Sequence, residues 1–352
     1  MTPKVSVVIP MLNARAYVAD TLDGVFGQTV PPHEVIVVDN GSTDGSPAFV
    51  RERYPRARVI SEPVSGPSAA RNAGAAAASG DLLAFCDSDD VWLPWKLERQ
   101  LGLLAEVKAR DGAYPGVATC RAQRVPDSRM RGAMGDWSRR PPLAVATVTE
   151  LGFEGLLRRD SFWPSGALMP ADVFRLVGGF DSGSDGAEDL DLWVRVAAFR
   201  PVLRQEQVLF LYRMRAGSYC GDAGRVHSGL AAMLRKWAPG NSVRPVQPSF
   251  YRTACTRRML SAALRLRREG RTFPASLFEE FPLDPPLASL FGFGLWLAHR
   301  HPRLFSAACR LNGLRRQVFS GLRSWRNKLL LTRSVRAGRR GRSSGRSRTR
   351  RA

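Results

Sequence analysis

Three carboxylates, Asp87, Asp89 and Asp90, directly follow the apolar run Leu82 to Cys86. Packed carboxylates repel one another and raise each other's pKa, so such a cluster holds a metal ion or shares a chemical task unless water surrounds it. The hard ions Mg²⁺ and Mn²⁺ prefer carboxylate, water and phosphate oxygens. The alternative is that the three side chains only cap and solubilise a turn.

Short apolar runs alternate with helical segments in the first part of the chain, and these elements must position the cluster. The alternation indicates β-α-β units and hence a mainly parallel sheet with helices on both faces. The strand-like runs are VSVVI from Val5, EVIVV from Glu34, LLAFC from Leu82 and a weaker run over Arg58 to Ser61, and the helical segments are Tyr17 to Phe26, Pro47 to Tyr54 and Ala69 to Ser79.

Ligands of such open sheets bind beyond the carboxyl ends of the strands. The polar clusters of the sequence fall at these ends. Pro10 to Asn13 follow the first strand, DNGSTDGS from Asp39 follows the second, and the Asp87 cluster follows the last. The sequence therefore predicts a ligand site at one rim of the sheet.

The second half of the pattern is less regular. Residues 112–160 are rich in Pro, Gly and Arg, which predicts a variable and partly looped region. Regularity returns over residues 165–181 and continues over residues 183–199, where Ser184 or Asp185 can cap a helix. The apolar positions of that helix share one face. They are Leu190, Trp193, Val194 and Ala197.

An ordered series of motifs runs through more than half of the chain. The series is VSVVIPMLNA, VVDNGSTDGS, GPSAARNAG, DSDDVWLPWKLE, GGFD with AEDLDLWVR, and YRMRAGS. Between Lys4 and about Ser218 it resembles the family 2 glycosyltransferases of the GT-A fold. No single motif is decisive, so the order, the spacing and the strand-end positions carry the resemblance together. The implied fold is a Rossmann-like α/β fold, in which helices flank a mainly parallel sheet.

The resemblance implies a metal site in the DxD element, which is Asp87, Ser88 and Asp89 here. In the family this element holds a divalent cation, Mg²⁺ or Mn²⁺, that bridges the phosphates of a nucleotide sugar and offsets the charge of the departing diphosphate. Asp89 is the expected direct ligand, and Asp87 is expected to face the ribose or a metal-bound water. Asp90 is expected to cap the helix that begins near Leu93.

The resemblance also implies a pocket for the nucleotide. Asp39 is expected to accept the imino hydrogen of uracil or guanine, with UDP favoured, and Pro10 and Asn13 are expected to line the same pocket. Directional pairing is selective because a wrong base leaves a buried group unpaired. The alternative for Asp39 is an Asx-turn residue that shapes the NGSTDGS loop.

A basic residue is expected near the diphosphate of the donor. Arg71 in AARNAG matches this position, with Asn72 beside it, because a guanidinium group can hold two phosphate oxygens. The alternative for Arg71 is a surface arginine on a helix made mostly of alanine.

Glu188 to Asp191 resemble the element that supplies the catalytic base in inverting members. Deprotonating an acceptor hydroxyl needs a carboxylate close to the anomeric carbon, on the face opposite the leaving diphosphate. We assign Asp189 to this role and Glu188 to positioning. The alternative is that the helix dipole favours acidic residues in a first turn, which better explains Asp191. Trp163 is a candidate for stacking on a sugar, whereas Trp193 is expected in the core.

The sequence departs from the family pattern after the last strand-like run, Val208 to Arg213. Family members often continue with a histidine that joins the metal or phosphate shell, but Arg215 stands there. An arginine cannot ligate a cation, so we expect Arg215 to pair with phosphate, which leaves the metal site in doubt. His227 is close enough in sequence to compensate, although a lone histidine is more often structural.

The net charge of +22 is concentrated in the last third of the chain. Residues 1–230 carry 26 Lys and Arg against 27 Asp and Glu, whereas the remainder carries 27 against 4. The asymmetry predicts a catalytic domain over residues 1–235, a helical basic extension over 236–332 and a disordered Arg-rich tail over 333–352. Because the five cysteines form no CxxC pair and no run reaches the roughly 18–20 apolar residues that span a bilayer, a cytoplasmic location is expected.

Apolar residues recur at steps of three and four between Leu304 and Leu329, and the stripe includes Trp325 and is flanked by arginines. Basic amphipathic helices of this kind commonly lie in a membrane interface, which suggests peripheral binding at the inner face of the cell membrane. The alternative, weighed equally, is a helix docked on the catalytic domain. Nucleic acid would satisfy the same charge, but no aromatic residue interleaves the tail to stack on bases.

The sequence thus predicts an inverting, metal-assisted glycosyltransferase of the hexosyltransferase type. Such an enzyme moves a sugar from a nucleotide sugar to a hydroxyl of a glycan or lipid-linked acceptor, as in assembly of cell-surface polysaccharide or glycolipid. Inversion would convert an α-linked donor into a β-glycoside. One rival is a non-catalytic protein of the same fold that binds sugar nucleotides or glycans. The other is a nucleic-acid-associated protein driven by the arginine tail, which predicts steeply salt-dependent binding of DNA or RNA.

Overall fold

The computed structural model describes residues 3–138, 147–158, 162–215, 217, 222–241, 246–256 and 258. The strands in this part of the chain are β1 (Val5–Met11), β2 (Glu34–Asp39), β3 (Ala57–Ser61), β4 (Leu82–Phe85), β5 (Val91–Trp92), β6 (Val117–Pro126), β7 (Val148–Glu150), β8 (Leu168–Pro170) and β9 (Val202–Met214). The α-helices are α1 (Val18–Phe26), α2 (Ser46–Arg53), α3 (Pro67–Ala76), α4 (Lys96–Asp111), α5 (Met130–Ser138), α6 (Phe153–Arg158), α7 (Ala171–Leu176), α8 (Glu188–Ala197) and α9 (Ala223–Lys236). Residues 248–256 are also helical.

The strands form one sheet in the order β3-β2-β1-β4-β8-β6-β9-β5, and β7 pairs with β9. β1 pairs in parallel with β2 and β4, and β2 pairs in parallel with β3. Antiparallel pairing begins where β4 meets β8, and β6 and β9 run parallel to each other. The predicted Rossmann-like α/β fold is therefore confirmed, and the sheet has a mixed second half that the apolar pattern did not predict.

Both faces of the parallel half are buried. Because neighbouring side chains of a strand point to opposite faces, Val7 and Ile9 of β1 enter one apolar core and Val8 enters the other. Val37 and Ile36 of β2 divide in the same way. Full burial of an aliphatic side chain stabilises a fold by about 1.5–3 kcal/mol, so continuous apolar runs are favoured in strands that are covered on both sides.

Helix α3 packs very close to the sheet at Gly74. A Cβ atom added to Gly74 would lie 2.3 Å from Cγ1 of Val8 and 2.9 Å from Cγ2 of Val38, so a larger residue does not fit. Glycine at this position therefore allows the close packing of the helix on the sheet. The contact fixes α3 against β1 and β2 and so positions Arg71, about one turn earlier on the same helix.

The region predicted to be variable and partly looped, residues 112–160, contains the strand β6, which the sequence did not indicate. This strand has 10 residues and lies between β8 and β9 in the sheet. Its first four residues are buried, whereas most of the others are exposed. Arg121 and Arg124 stand in the exposed part and interrupt the apolar pattern, which hid the strand in the sequence.

The predicted core helix near residue 190 is confirmed as α8. Leu190, Trp193 and Val194 are buried on its inner face. The Trp193 ring stacks on Phe162 with centroids 4.5 Å apart, and its Nε1 donates to the Phe162 carbonyl oxygen at 3.1 Å. Trp193 is therefore a core residue, as predicted.

The chain divides into two compact units, Met1–Asp284 and Pro285–Ala352, and every described residue lies in the first. Trp237, Tyr251 and Cys255 belong to one of its apolar cores, so this unit continues beyond residue 235. The predicted amphipathic stripe and the arginine tail lie outside the described residues and stay predictions. Among the helices of the described part, none is long and apolar enough to cross a membrane.

Candidate active site

The loops after β1 and β2 are held together by side-chain hydrogen bonds. Asn13 Oδ1 accepts from the backbone N–H of Thr43 at 2.8 Å, and the backbone N–H of Asn13 donates to Ser42 Oγ at 3.0 Å. Asn13 has a positive φ of 49°, which asparagine tolerates better than most residues. The pairing of β1 with β2 also brings Pro10 close to Asp39, so these three candidates lie at one end of the sheet.

Asp39 lies at the carboxyl end of β2 and is partly exposed. Its Oδ1 accepts from the backbone N–H of Ser42 at 3.1 Å, which forms the Asx turn that the alternative interpretation predicts. The second carboxylate oxygen has no hydrogen-bond partner within the described ranges. The turn is therefore compatible with base recognition, which stays a prediction.

Sequence reasoning missed Asn40, which organises the neighbouring loop. Its Nδ2 donates to the carbonyl oxygens of Glu62 at 2.9 Å and Val64 at 2.7 Å, and its Oδ1 accepts from the Gly66 N–H at 2.8 Å. These bonds attach the loop between β3 and α3 to the end of β2. The Asn-Gly pair in the sequence indicated only a turn, because a long-range amide role leaves no local pattern.

Arg71 joins two carboxylates that are far apart in the sequence. Its Nη2 lies 2.7 Å from Asp87 Oδ1 and its Nη1 lies 2.9 Å from Glu188 Oε1. The side chain is only 6% exposed, so the alternative of a surface arginine is wrong. Burial alone would lower the pKa of Arg71, but Asp87 and Glu188 outweigh it and raise that pKa. Both terminal nitrogens already have carboxylate partners, so the predicted phosphate contact gains no support from these bonds.

The first turn of α8 presents Glu188 and Asp189. Glu188 Oε2 accepts from the Gly186 N–H at 2.7 Å, so both of its oxygens are held. Asp189 remains partly exposed, and its Oδ1 accepts from the N–H of Leu190 at 2.6 Å. Burial among the surrounding atoms, and then the charge of Glu188, raise the pKa of Asp189 to about 7. A reachable carboxylate with this pKa suits a general base at neutral pH.

Asp90 is buried beneath the DSDD turn. Its Oδ2 accepts from Ser165 Oγ at 2.6 Å and its Oδ1 accepts from the backbone N–H of Arg213 at 3.1 Å. Ser165 Oγ also accepts from the backbone N–H of Asp87 at 3.0 Å. Burial, and then the charges of Asp89 and Asp87, raise the pKa of Asp90 well above its ordinary value. The prediction that Asp90 caps the following helix is wrong, because its carboxylate braces the turn instead.

Asp89 forms an ion pair with Arg215. Nε of Arg215 lies 2.7 Å from Asp89 Oδ2, and the two side chains are 23% and 18% exposed. Burial, and then the charge of Asp87, raise the pKa of Asp89, although Arg215 opposes the shift. His227, which could have compensated for the missing histidine, is buried on α9. Pairing of Arg215 with phosphate stays a prediction.

Asn72 contacts a peptide unit of the GGFD segment. Its Nδ2 donates to the Phe180 carbonyl oxygen at 2.7 Å, and its Oδ1 accepts from the Phe180 N–H at 2.9 Å. These two bonds hold α3 to the segment that leads into α8. They give Asn72 a positioning role, and its predicted contact near the diphosphate gains no support from them.

Trp163 belongs to an aromatic cluster on the mixed half of the sheet. Its ring stacks on Tyr212 with centroids 4.9 Å apart and meets Phe210 edge to face at 6.4 Å. Trp163 is partly exposed, and the guanidinium of Arg124 lies 6.0 Å from the Tyr212 ring on β9. Stacking of Trp163 on a sugar stays a prediction.

Asp191 is fully buried, so its role goes beyond the helix dipole that the sequence suggested. Its Oδ2 lies 2.8 Å from Arg195 Nη2, and its Oδ1 lies 3.1 Å from Lys236 Nζ. Lys236 also pairs with Asp181 of the GGFD segment. The network connects α8 with α9 and stabilises the support of the Glu188 turn.

The prediction that Ser184 or Asp185 caps α8 is wrong. The helix follows Ala187 and receives no side-chain cap. Ser184 Oγ donates to Asp181 Oδ2 at 3.2 Å, whereas Asp185 accepts from Ser68 Oγ on α3. Asp185 therefore adds a second connection between α3 and the start of α8, beside that of Arg71.

The carboxylates of the DSDD turn do not present a free set of metal ligands. Asp87 is paired with Arg71, Asp89 is paired with Arg215, and Asp90 is buried. Within the described part of the chain, no three His, Cys, Asp or Glu side chains form a group that could hold an ion. Such an ion can be held by one or two carboxylates together with phosphate and water oxygens, but the two guanidinium groups beside these carboxylates would repel it. This donor set does not fit the Mg²⁺ or Mn²⁺ ion that the resemblance implies.

An open groove with a cavity volume of ≈ 560 Å³ lies between the end of β6 and α5. Arg124, Arg129 and Asp136 are the charged residues that line it. Asp127, in the same segment, pairs with Arg213 at 2.6 Å, so the groove segment is tied to the strand that carries Arg215.

Comparison with solved structures defines the class of fold. The structure of S. aureus TarS 1-349 in complex with UDP-GlcNAc is similar with a TM-score of 0.53 and 17% identity, over 76% of this chain and 72% of that one. The mannosyltransferase PcManGT of Pyrobaculum calidifontis, in complex with GDP-Man and Mn²⁺, is similar with a TM-score of 0.54 and 21% identity, over 86% and 82%. At these identities the likeness shows the fold alone, which is the GT-A glycosyltransferase fold.

The sequence comparison supports the resemblance that the motifs indicate. Residues 6–163 match the model of glycosyl transferase family 2. TuaG of Bacillus subtilis, a glycosyltransferase named for teichuronic acid biosynthesis, is 42% identical over 109 residues, which are 30% of this chain and 43% of TuaG. The chain spans less than half of the length of the curated relatives that it matches.

Proposed function

We propose that this protein is a glycosyltransferase that moves a hexose from a nucleotide sugar to an acceptor hydroxyl with inversion at the anomeric carbon. The observation that carries the proposal is the Arg71 bridge. It joins Asp87, on the proposed donor side, to Glu188, which adjoins the proposed base Asp189. The match of residues 6–163 to the family 2 model supports the same reaction class.

The donor nucleotide is proposed to bind at the ends of β1 and β2. Asp39 has one carboxylate oxygen that is not used by the Asx turn, and this oxygen suits the imino N–H of uracil. Pro10 and Asn13 would form the adjoining wall. UDP is the favoured nucleotide, with GDP as the alternative.

Asp189 is proposed to act as the general base. It would accept the proton of the acceptor hydroxyl while the hydroxyl oxygen attacks the anomeric carbon and the bond to the diphosphate breaks. The electron pair of the broken bond between the anomeric carbon and the diphosphate oxygen stays on the nucleoside diphosphate, which leaves as an anion. Glu188 would position Asp189, because Arg71 and the Gly186 N–H hold its carboxylate in place.

The acceptor is proposed to be a glycan or lipid-linked glycan of the cell surface. Support comes from TuaG, which is named for teichuronic acid biosynthesis. The groove beside α5 and the exposed part of Trp163 are candidate contacts for such an acceptor. The basic C-terminal sequence is proposed to hold the enzyme at an anionic membrane surface, where a lipid-linked acceptor would be present.

A donor screen tests the proposal. The full chain is incubated with UDP-, GDP- and dTDP-sugars, with and without Mn²⁺ or Mg²⁺, and release of nucleoside diphosphate is measured. We expect slow release from one nucleotide class in the absence of acceptor, and faster release with a cell-surface glycan fraction. Asp39→Asn should reduce the preference for that nucleotide class. Absence of both binding and turnover for all donors would contradict the proposal.

A further inference from the structure

The guanidinium group of Arg215 places a positive charge beside the DSDD turn. Nε of Arg215 donates to Asp89 Oδ2 at 2.7 Å. Both side chains are partly exposed, so the pair is not enclosed in the core. The two terminal nitrogens of Arg215 have no hydrogen-bond partner among the residues that the structure describes. Their N–H groups are free to donate to an anion in the cleft.

Arg215 is held in place from its other side as well. The centre of the Tyr17 ring lies 5.0 Å from the Arg215 guanidinium carbon and 5.1 Å from that of Arg213. A guanidinium group that contacts an aromatic ring and a carboxylate together loses little further freedom when it binds a ligand. The planar guanidinium group is therefore preorganised to donate two N–H groups to an oxyanion such as phosphate.

Arg213 fixes the strand end that carries Arg215. It is buried, and its Nε donates to the backbone oxygen of Asp89 at 2.8 Å. Its terminal nitrogens pair with Asp127 at 2.6 Å and Asp20 at 2.7 Å. All three guanidinium nitrogens of Arg213 therefore have partners, whereas Arg215 pairs with Asp89 through Nε alone, so among the described residues of this strand end it is Arg215 that keeps N–H groups for a ligand.

We propose that Arg215 is a specificity-determining residue that binds the diphosphate of the donor in place of a divalent cation. The inference rests on the proposed function, since it assumes a nucleoside diphosphate as ligand. The terminal N–H groups of Arg215 would donate to phosphate oxygens while Nε keeps its bond to Asp89. The same charge would offset the negative charge that builds on the departing diphosphate, so donor binding does not require Mn²⁺ or Mg²⁺.

Calorimetric titration of UDP, GDP and dTDP into the full chain, with EDTA or with Mn²⁺, tests the inference. The nucleotide that binds should have Kd values within about threefold of each other in the two conditions. Arg215→Met should weaken binding in EDTA by about tenfold or more, because charge-assisted hydrogen bonds are lost. Arg175→Met, at an exposed position on α7, is the matched control and should leave Kd unchanged.

Arg215→His adds a gain-of-function arm. Imidazole removes the fixed cation at neutral pH and supplies a metal ligand beside Asp89, so nucleotide binding should be restored only when Mn²⁺ is present. Electron paramagnetic resonance of Mn²⁺ should show no tight site in the wild-type chain without nucleotide, and this result does not depend on whether the variants fold.

The outcomes separate the inference from the proposed function. Nucleotide binding by the wild-type chain that requires Mn²⁺, or a tight Mn²⁺ site in the nucleotide-free chain, would overturn the inference and leave the proposed function intact. Absence of binding for all three nucleotides, with and without metal, would overturn the proposed function and the inference with it.

Discussion

Nη1 of Arg71 and Oε1 of Glu188 lie 2.9 Å apart, although 117 residues separate them in the chain. The same guanidinium holds Asp87 at 2.7 Å, so one buried cation sets the spacing between the DSDD turn and the start of α8. A guanidinium group has five N–H donors in a rigid plane, which allows it to hold two carboxylates at once. The two sides of the cleft are therefore mechanically connected.

Replacing Arg71 with Met should destabilise the fold by about 3–5 kcal/mol, because removal of one partner leaves buried carboxylates without a counter-charge. Arg71→Lys should recover only part of this loss, since an ammonium group cannot hold both carboxylates in one plane. Urea unfolding followed by circular dichroism measures the effect. Arg110→Met, which breaks an exposed pair with Asp111, is the control and should leave the free energy of unfolding nearly unchanged. A Met variant as stable as the wild type would show that the bridge does not form in solution.

Transfer should slow as the pH falls below about 7, because Asp189 must be ionised to accept a proton and its pKa lies at about 7. The profile of kcat/KM against pH, measured with the donor found in the screen, should show one acid limb with a midpoint near that value. A midpoint near 3.8, the ordinary value for Asp, would contradict the assignment of this carboxyl as the base.

Asp189→Asn should stabilise the protein at neutral and alkaline pH. The pKa of Asp189 is raised from 3.8 to about 7 in the fold, so the native state retains a proton that the unfolded state loses, and wild-type stability falls as the pH rises through this range. Asparagine does not ionise, so the stability of the variant does not fall in this way as the pH rises. We expect the two proteins to be equally stable near the lower value and the variant to gain about 1–2 kcal/mol above the upper one, after allowing for partial exposure. Thermal unfolding of both proteins across this pH range measures the effect. A difference in stability that does not change with pH would contradict the raised pKa of Asp189.

Gly74→Ala should cost about 1–3 kcal/mol, because a Cβ atom at 2.3 Å from Val8 Cγ1 forces α3 away from the sheet. Gly102→Ala is the matched control, since no atom lies within 4 Å of a Cβ atom there and the residue stands inside α4. The control should gain about 0.5–1 kcal/mol from helix propensity. Denaturant unfolding should show a lower free energy of unfolding for Gly74→Ala and a higher one for Gly102→Ala. A change of the same sign in both variants would contradict the close packing of α3 on the sheet.

The parallel half of the fold could be predicted because its strands are buried on both faces and read as continuous apolar runs. The sequence-based strands starting at Val5, Glu34 and Leu82 correspond to β1, β2 and β4. β6 could not be predicted, since Arg121 and Arg124 stand in its exposed half and break the apolar pattern. β8 has only 3 residues, which is too short for a periodic signal.

The site was predictable in its residue types and less so in its pairings. Asp39 and Asp87 could be identified because each directly follows a predicted strand. The sequence contained no sign that Arg71 would bridge Asp87 and Glu188. Ion pairs across the fold depend on how α3 and α8 pack, and packing of distant elements leaves no local pattern in a single sequence. The capping roles expected for Asp90 and Asp185 failed for the same reason, because distant partners bind both side chains.

Single-turnover transfer by Asp189→Asn, measured beside its nucleotide affinity, tests the central claim most directly. The account predicts that the rate falls by about 10²–10⁴-fold while the Kd for the nucleotide stays within about twofold, because only proton transfer is removed. Asp172→Asn, an exposed acid on α7, should leave both values unchanged. Transfer by Asp189→Asn at the wild-type rate would contradict the account, as would a wild-type chain that binds nucleotide sugars and never turns them over.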